Sequence, residues 1–151
     1  MCIRDRATIT RSRRQLEAID LPPFAAAIQA GVPLVMVGHA RYPALDPDRI
    51  ASQSSAIVGR LLRDRLGFRG VVVTDSMEAQ ASLATGAVTT ASERAVRAGA
   101  DLVLLTGQGS YTPVYAHLLE LARGSPAFRA RVRESAARVL ALKQRGAQAP
   151  G

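Results

Sequence analysis

The stretch Gly70-Val71-Val72-Val73-Thr74-Asp75-Ser76 sets three consecutive β-branched apolar residues against an abrupt polar end. A run this short, bounded by Gly67 and Gly70 before it and by polar residues after it, reads as a strand buried on both faces, the kind found in parallel sheets. In parallel α/β architectures ligands sit beyond the carboxyl ends of the strands, so an acid in the first polar positions after a strand points at a site. Asp75 is therefore a candidate catalytic acid. An aspartate here also commonly caps a following helix, and spacing alone leaves both readings open.

Two further runs repeat the pattern. Pro33 to Gly38 carries Leu34-Val35-Met36-Val37 and leaves through His39-Ala40-Arg41, while Asp101 to Leu105 leaves through Thr106-Gly107-Gln108-Gly109. Between them, Ser54 to Leu66 places Ile57, Val58, Leu61, Leu62 and Leu66 on one face of an expected α-helix closed by Gly67. Ala91 to Ala98 is expected to form another, closed by Gly99. Ser12 to Asp20 and Phe24 to Ala30 read as two helices separated by a break at Leu21-Pro22-Pro23, and Tyr42-Pro43 with Asp46-Pro47 marks a loop. Ser76 to Ala87 is small and flexible in composition, Pro113 to Arg123 and Pro126 to Lys143 are closing helices, and residues 146–151 read as a disordered tail. The fold class is α/β, with three β/α units in parallel order. Three strands leave open edges, so the chain is either a minimal open sheet or part of a larger barrel.

At 151 residues and 48% hydrophobic content the chain suits one domain with a sizeable core. With 4% aromatics and no tryptophan, that core is built from Ala, Val and Leu, as in helix-on-sheet packing. The formal charge of +8 raises the question of a nucleic-acid partner. The arginines, however, are scattered along expected helices beside Glu and Asp, without a recognition motif, and no nucleic acid is expected as the main partner. Cys2 is the single cysteine, which excludes an intrachain disulfide and a thiolate cluster, and His39 and His117 lack metal-ligand spacing, so no metal is expected. No apolar run is long enough for a membrane span. Met1 to Arg6 lacks the apolar core of a signal peptide. Residues 1–10 differ in character from the rest of the chain and are expected to be an artificial start; the compartment is left undefined.

The motifs together are recognisable. Leu61-Leu62-Arg63 followed by Leu66-Gly67-Phe68-Arg69-Gly70-Val71-Val72-Val73-Thr74-Asp75-Ser76-Met77-Glu78 resembles the active-site signature of glycoside hydrolase family 3. Asp20-Leu21-Pro22-Pro23-Phe24 and Val35-Met36-Val37-Gly38-His39-Ala40-Arg41-Tyr42-Pro43 are similar to the segment ahead of that signature in the family's β-N-acetylhexosaminidases. Ala95-Val96-Arg97-Ala98-Gly99-Ala100-Asp101-Leu102-Val103 resembles its final barrel strand with the helix that leads into it.

The resemblance implies a (β/α)8 TIM barrel of which residues 11–145 form the last three β/α units with closing helices. It implies a retaining mechanism in which Asp75 is the nucleophile, a carbohydrate substrate of the N-acetylglucosaminide class, and no organic cofactor or metal. His39 and Arg41 follow a barrel strand and are candidates to bind a sugar hydroxyl or acetamido group. His39 is equally placed to be hydrogen-bonded beneath the site, and Arg41 to pair with Asp46 or Asp48. Glu78, a possible second carboxylate by proximity, lies in a stretch that in the family leads away from the site. Ser76 and Ala79 depart from the commoner acidic residue and methionine, without removing the attacking carboxylate. The departure with most consequence is upstream: where that branch has an Asp-x-His loop with its acid/base histidine, this chain reads Arg6-Ala7-Thr8-Ile9-Thr10. The expectation is an incomplete fragment with little activity alone. The alternative is a non-catalytic half-barrel that self-associates through its open edges or is completed by another chain.

Overall fold

In the computed structural model, which describes residues 7–147, the chain opens with one unbroken helical run. Ser12 starts it with a reciprocal cap, its hydroxyl accepting the Gln15 amide while the Gln15 side chain takes the Ser12 amide. Helix α1 (Arg13–Gln15) passes into a π-wound turn, Leu16–Asp20, and then into α2 (Leu21–Gln29). The expected break at the prolines is absent. Pro22 and Pro23 fall in the first turn of α2, where a missing N–H costs nothing, and the π turn ahead of them closes with Leu21 N–H on the Leu16 carbonyl.

Strand β1 (Leu34–Val37) leads into a hairpin of β2 (Arg41–Tyr42) and β3 (Asp46–Ile50), where only a loop was expected. The chain turns at Pro43-Ala44-Leu45, closed by the Leu45 amide on the Tyr42 carbonyl at 2.8 Å, and Asp46 Oδ1 accepts the amides of Asp48 and Arg49 within β3. A 3₁₀ turn, Ala51–Gln53, precedes a π-helix, Ala56–Arg65. Next come β4 (Val71–Ser76), α3 (Gln80–Leu83), α4 (Val88–Ala98), β5 (Leu102–Leu104), α5 (Tyr111–Gly124) and α6 (Pro126–Ala147). Helix α6 continues through 146–147, where a disordered tail was expected; 148–151, like 1–6 of the expected atypical start, lie outside the described residues. Residues 7–9 belong to the fold, with Ala7 and Ile9 exchanging backbone hydrogen bonds with Arg41.

The expected α-helix at Ser54 to Leu66 is π-wound instead, ending with Leu66 N–H on the Leu61 carbonyl. Its i→i+5 pattern puts residues five apart on one face. Val58 and Arg63, which an α-helix would turn away from each other, are both buried there beside Leu62. Arg63 thereby reaches a carboxylate in the interior.

That carboxylate is Asp101, just ahead of β5, with no side-chain surface exposed to solvent. It accepts from Arg63 Nη2 at 2.6 Å, Arg131 Nη2 at 2.6 Å, Arg138 Nη1 at 3.1 Å, Ser135 Oγ at 3.0 Å and the Val72 amide at 3.0 Å. Burial by itself raises the Asp101 pKa, but the Val72 amide, the Arg63 charge and the bonds from Arg131 and Ser135 outweigh it and hold the carboxyl below the usual range. One acid so joins the π-helix, β4, β5 and α6. Three of the arginines behind the net positive charge pair with this buried acid.

The three strands form one parallel sheet in the order β1-β4-β5. Register places Met36 beside Val73, and Val73 beside Leu102, in one row across it. On the opposite face Val72 packs fully buried with Val37, Val58, Leu62, Phe68, Ala91 and Ala95 under the π-helix and α4. The Met36 row is open, with Met36 53% and Leu102 37% exposed. The edge strands are thus covered on one face only, where the composition suggested burial on both.

Between the pairs Val73–Leu102 and Ser76–Leu104, β4 spends one residue more than β5, a bulge at Thr74-Asp75. The fully buried Thr74 hydroxyl accepts the Leu104 amide at 3.0 Å, a partner for an N–H that the bulge would otherwise leave unpaired. Thr74→Val is expected to cost about 1–3 kcal/mol for that orphaned amide, and Thr74→Ser to recover most of it, as read by denaturant unfolding. Equal stability of the Val and Ser variants would contradict this role.

Candidate active site

The carboxyl ends of β1, β4 and β5 meet around this bulge. Asp75 is half-buried there, its Oδ1 accepting the Ser76 amide at 2.7 Å. The next helix, α3, starts after Ala79 and has no side-chain cap, so Asp75 caps no helix. One of the two readings open in the sequence is thereby removed.

Ser76 is fixed from both sides. Its carbonyl lies 2.8 Å from His39 Nε2, and its hydroxyl 2.8 Å from Thr106 Oγ1. His39 is 4% exposed, with Nδ1 2.8 Å from the Ser52 hydroxyl. A carbonyl can only accept, so Nε2 carries the proton, and in the neutral ring Nδ1 accepts from Ser52. Both ring nitrogens are spent on protein partners, which places His39 beneath the site.

Arg41 is exposed, and its guanidinium pairs with neither Asp46 nor Asp48. Asp46 is engaged elsewhere, accepting from the Ser54 hydroxyl at 2.6 Å and from two amides of its own turn. Burial raises its pKa, yet these bonds and the Arg49 charge together leave it lowered.

Glu78 reaches across to the loop after β5. Its Oε2 accepts the Thr106 amide at 2.6 Å, the Thr106 hydroxyl at 3.3 Å and the Gly107 amide. The Ser110 side chain, then the Gly107 and Thr106 amides, hold its pKa down. A carboxylate so stabilised in its ionised form is a poor proton donor. A Cβ at Gly107 would stand 2.6 Å from Glu78 Oε1, so a larger residue there would displace the Glu78 carboxylate. His117 sits apart, 2.8 Å from Glu93 between α4 and α5.

The structure thus brings Asp75, His39 and Glu78 to one end of the sheet and leaves Arg41 on the hairpin. Ser52, Thr106 and the clamp by Glu78 carry no signal in the sequence, since each partner is some thirteen to thirty residues away. Chemically, the arrangement presents one carboxylate on a pinned backbone. Among the described residues no three His, Cys, Asp or Glu side chains gather to hold a metal ion, and no helix is long and apolar enough to cross a membrane.

Residues 4–142 match the family model of the glycosyl hydrolase family 3 N terminal domain. A beta-hexosaminidase of Xanthomonas oryzae pv. oryzae is 40% identical over 101 residues, covering 67% of this chain and 30% of that protein. One from Nitrosomonas eutropha is 38% identical over 96 residues, covering 64% and 27%. The crystal structure of a beta-N-acetylhexosaminidase from Beutenbergia cavernae superposes with a TM-score of 0.85 at 36% identity, over 93% of this chain and 42% of that one. A family 3 beta-N-acetylglucosaminidase from a Paenibacillus species gives 0.84 at 38% identity, over 97% and 28%. The chain spans about 30% of the length of the curated relatives it matches.

Proposed function

Because the chain belongs to the glycosyl hydrolase family 3 N-terminal domain family, we propose that it carries the nucleophile of a retaining β-N-acetylhexosaminidase site, with Asp75 in that role. The observation that carries the reading is the position of Asp75: it occupies a pinned bulge at the carboxyl end of a central parallel strand and caps nothing. In this mechanism a carboxylate oxygen of Asp75 bonds to the anomeric carbon as the glycosidic C–O bond breaks, and the departing oxygen takes a proton from an acid. Water then opens the glycosyl ester and releases the sugar with its configuration kept. His39 is a positioning residue, holding the Ser76 carbonyl and with it the backbone that presents Asp75.

The protonation state of Glu78 argues against its serving as the acid. The substrate class follows from the relatives named hexosaminidases and glucosaminidases, and the barrel from the parallel order with an open row of Met36, Val73 and Leu102 that further staves would face. With an activated aryl leaving group no acid is needed for departure, so the little turnover expected of this fragment alone is best read with such a substrate. Proton NMR during hydrolysis of dinitrophenyl N-acetyl-β-glucosaminide is expected to show the β-hemiacetal first. An α-hemiacetal as first product would contradict the reading.

The same open row supports a second reading, in which two copies cover each other's exposed Leu34, Met36 and Leu102. Sedimentation of the chain as a monomer at all accessible concentrations would exclude it.

A further inference from the structure

Beside the β2–β3 hairpin lies a polar recess of roughly 360 Å³, lined by Arg41, Asp48, Arg49, Gln53, Thr85 and Arg94. Its floor is built and fixed. Gln53, 4% exposed, donates from Nε2 to the Thr85 hydroxyl at 2.9 Å, and Arg94 Nη1 donates to the Thr85 carbonyl at 2.5 Å. Its rim is charged and unpaired: among the described residues neither Arg41 nor Arg49 nor Asp48 takes part in an ion pair. Three guanidinium groups therefore share the recess with one carboxylate.

Gathering like charges around a cavity costs electrostatic energy that an anion relieves, and guanidinium forks match the paired oxygens of a carboxylate or sulfate. The hairpin that carries Arg41 and Arg49 follows the carboxyl end of β1, the end of the parallel sheet at which β4 presents Asp75. Gln53 follows Ser52, which holds His39, and His39 in turn holds the Ser76 carbonyl. We propose that the recess binds an anionic group of an acidic saccharide, a uronic carboxylate or a sulfate ester, attached to the sugar that Asp75 attacks. This inference rests on the glycosidase reading and names its substrate class more closely. It also gives Arg41 a different task from contact with a neutral hydroxyl or acetamido group.

Calorimetric titration of the whole chain with two disaccharides tests it: N-acetylglucosamine β-linked to glucuronic acid, and neutral N,N′-diacetylchitobiose. The acidic disaccharide is expected to bind about tenfold more tightly, the scale of one charge-assisted contact, with the preference shrinking as salt rises. The preference is expected to vanish in the double variant Arg41→Gln/Arg49→Gln. Both side chains are exposed, and an unchanged melting temperature checks that the variant is folded. A sulfated N-acetylglucosamine in place of the uronic acid distinguishes the two anions, and binding of either in an arginine-dependent manner supports the recess. Equal affinity for the acidic and neutral disaccharides, or a preference that survives the double variant, overturns it. Failure of the glycosidase reading would look different: free glucuronate would still bind in an arginine-dependent way, supporting the recess, while dinitrophenyl N-acetyl-β-glucosaminide would not be turned over.

Discussion

Asp75→Asn is expected to lower turnover of dinitrophenyl N-acetyl-β-glucosaminide by on the order of 10⁴-fold or more, the scale seen when a covalent nucleophile is removed. The change is nearly isosteric. Asn keeps a side-chain oxygen to accept the Ser76 amide now held at 2.7 Å, so the bulge and its supports persist. What is lost is the negative charge that attacks and then stabilises the oxocarbenium-like transition state. A variant of unchanged melting temperature and abolished turnover is the expected pair of results; retained turnover would remove Asp75 from the chemistry. His39→Gln addresses the support beneath it, and a smaller loss of turnover with unaltered substrate binding is the pattern of a positioning residue.

The largest expected effect on stability belongs to Asp101. Removing it leaves Arg63, Arg131 and Arg138 facing one another, leaves the Val72 amide short of an acceptor and leaves the Ser135 hydroxyl only the Ala100 carbonyl at 3.4 Å. Breaking a buried ion pair from one side costs about 3–5 kcal/mol. Arg63, Arg131 and Arg138 retain 11%, 17% and 28% side-chain exposure and recover some hydration, so Asp101→Ala is expected at about 3 kcal/mol, read by denaturant unfolding. Against a total stability of about 5–15 kcal/mol that is a large fraction. The sign of the pH dependence comes from the direction of the shift. The folded pKa lies below the ordinary value near 3.8, so the stabilisation is complete above that value and is lost as the pH falls toward the folded pKa. Acid unfolding below about pH 4 is therefore expected to be shallower in Asp101→Asn than in the parent chain. Curves of the same slope would contradict this account.

The apolar runs and their glycine brackets were legible because burial and backbone freedom are local. Val71-Val72-Val73 became β4, and Gly67 and Gly99 follow their helices at positive φ, as helix-ending glycines do. The helix periodicity at Ile57 to Leu66 was read with the wrong winding, because what turns Arg63 inward is a carboxylate 38 residues away. The proline pair was read as a break because its setting, a π turn that prepares a new first helical turn, leaves no composition signature. At the candidate site, the position of Asp75 at the carboxyl end of a strand was legible. Its supports were not: the Thr74 hydroxyl on the Leu104 amide, His39 between Ser52 and Ser76, and Glu78 on the Thr106 and Gly107 amides all join separate segments. The recess of Arg41, Arg49 and Arg94 was hidden for the same reason, its arginines looking like part of an even scatter of charge.

The central claim is that Asp75 forms the covalent bond to the sugar, and mass spectrometry of the chain quenched during turnover of dinitrophenyl N-acetyl-β-glucosaminide tests it most directly. A good leaving group speeds formation of the ester but does nothing for its hydrolysis, so the intermediate is expected to accumulate. Peptide mapping is expected to find one N-acetylglucosaminyl group on the peptide containing Asp75, and none in Asp75→Asn. A label on any other residue, or none on the parent chain, would contradict the account.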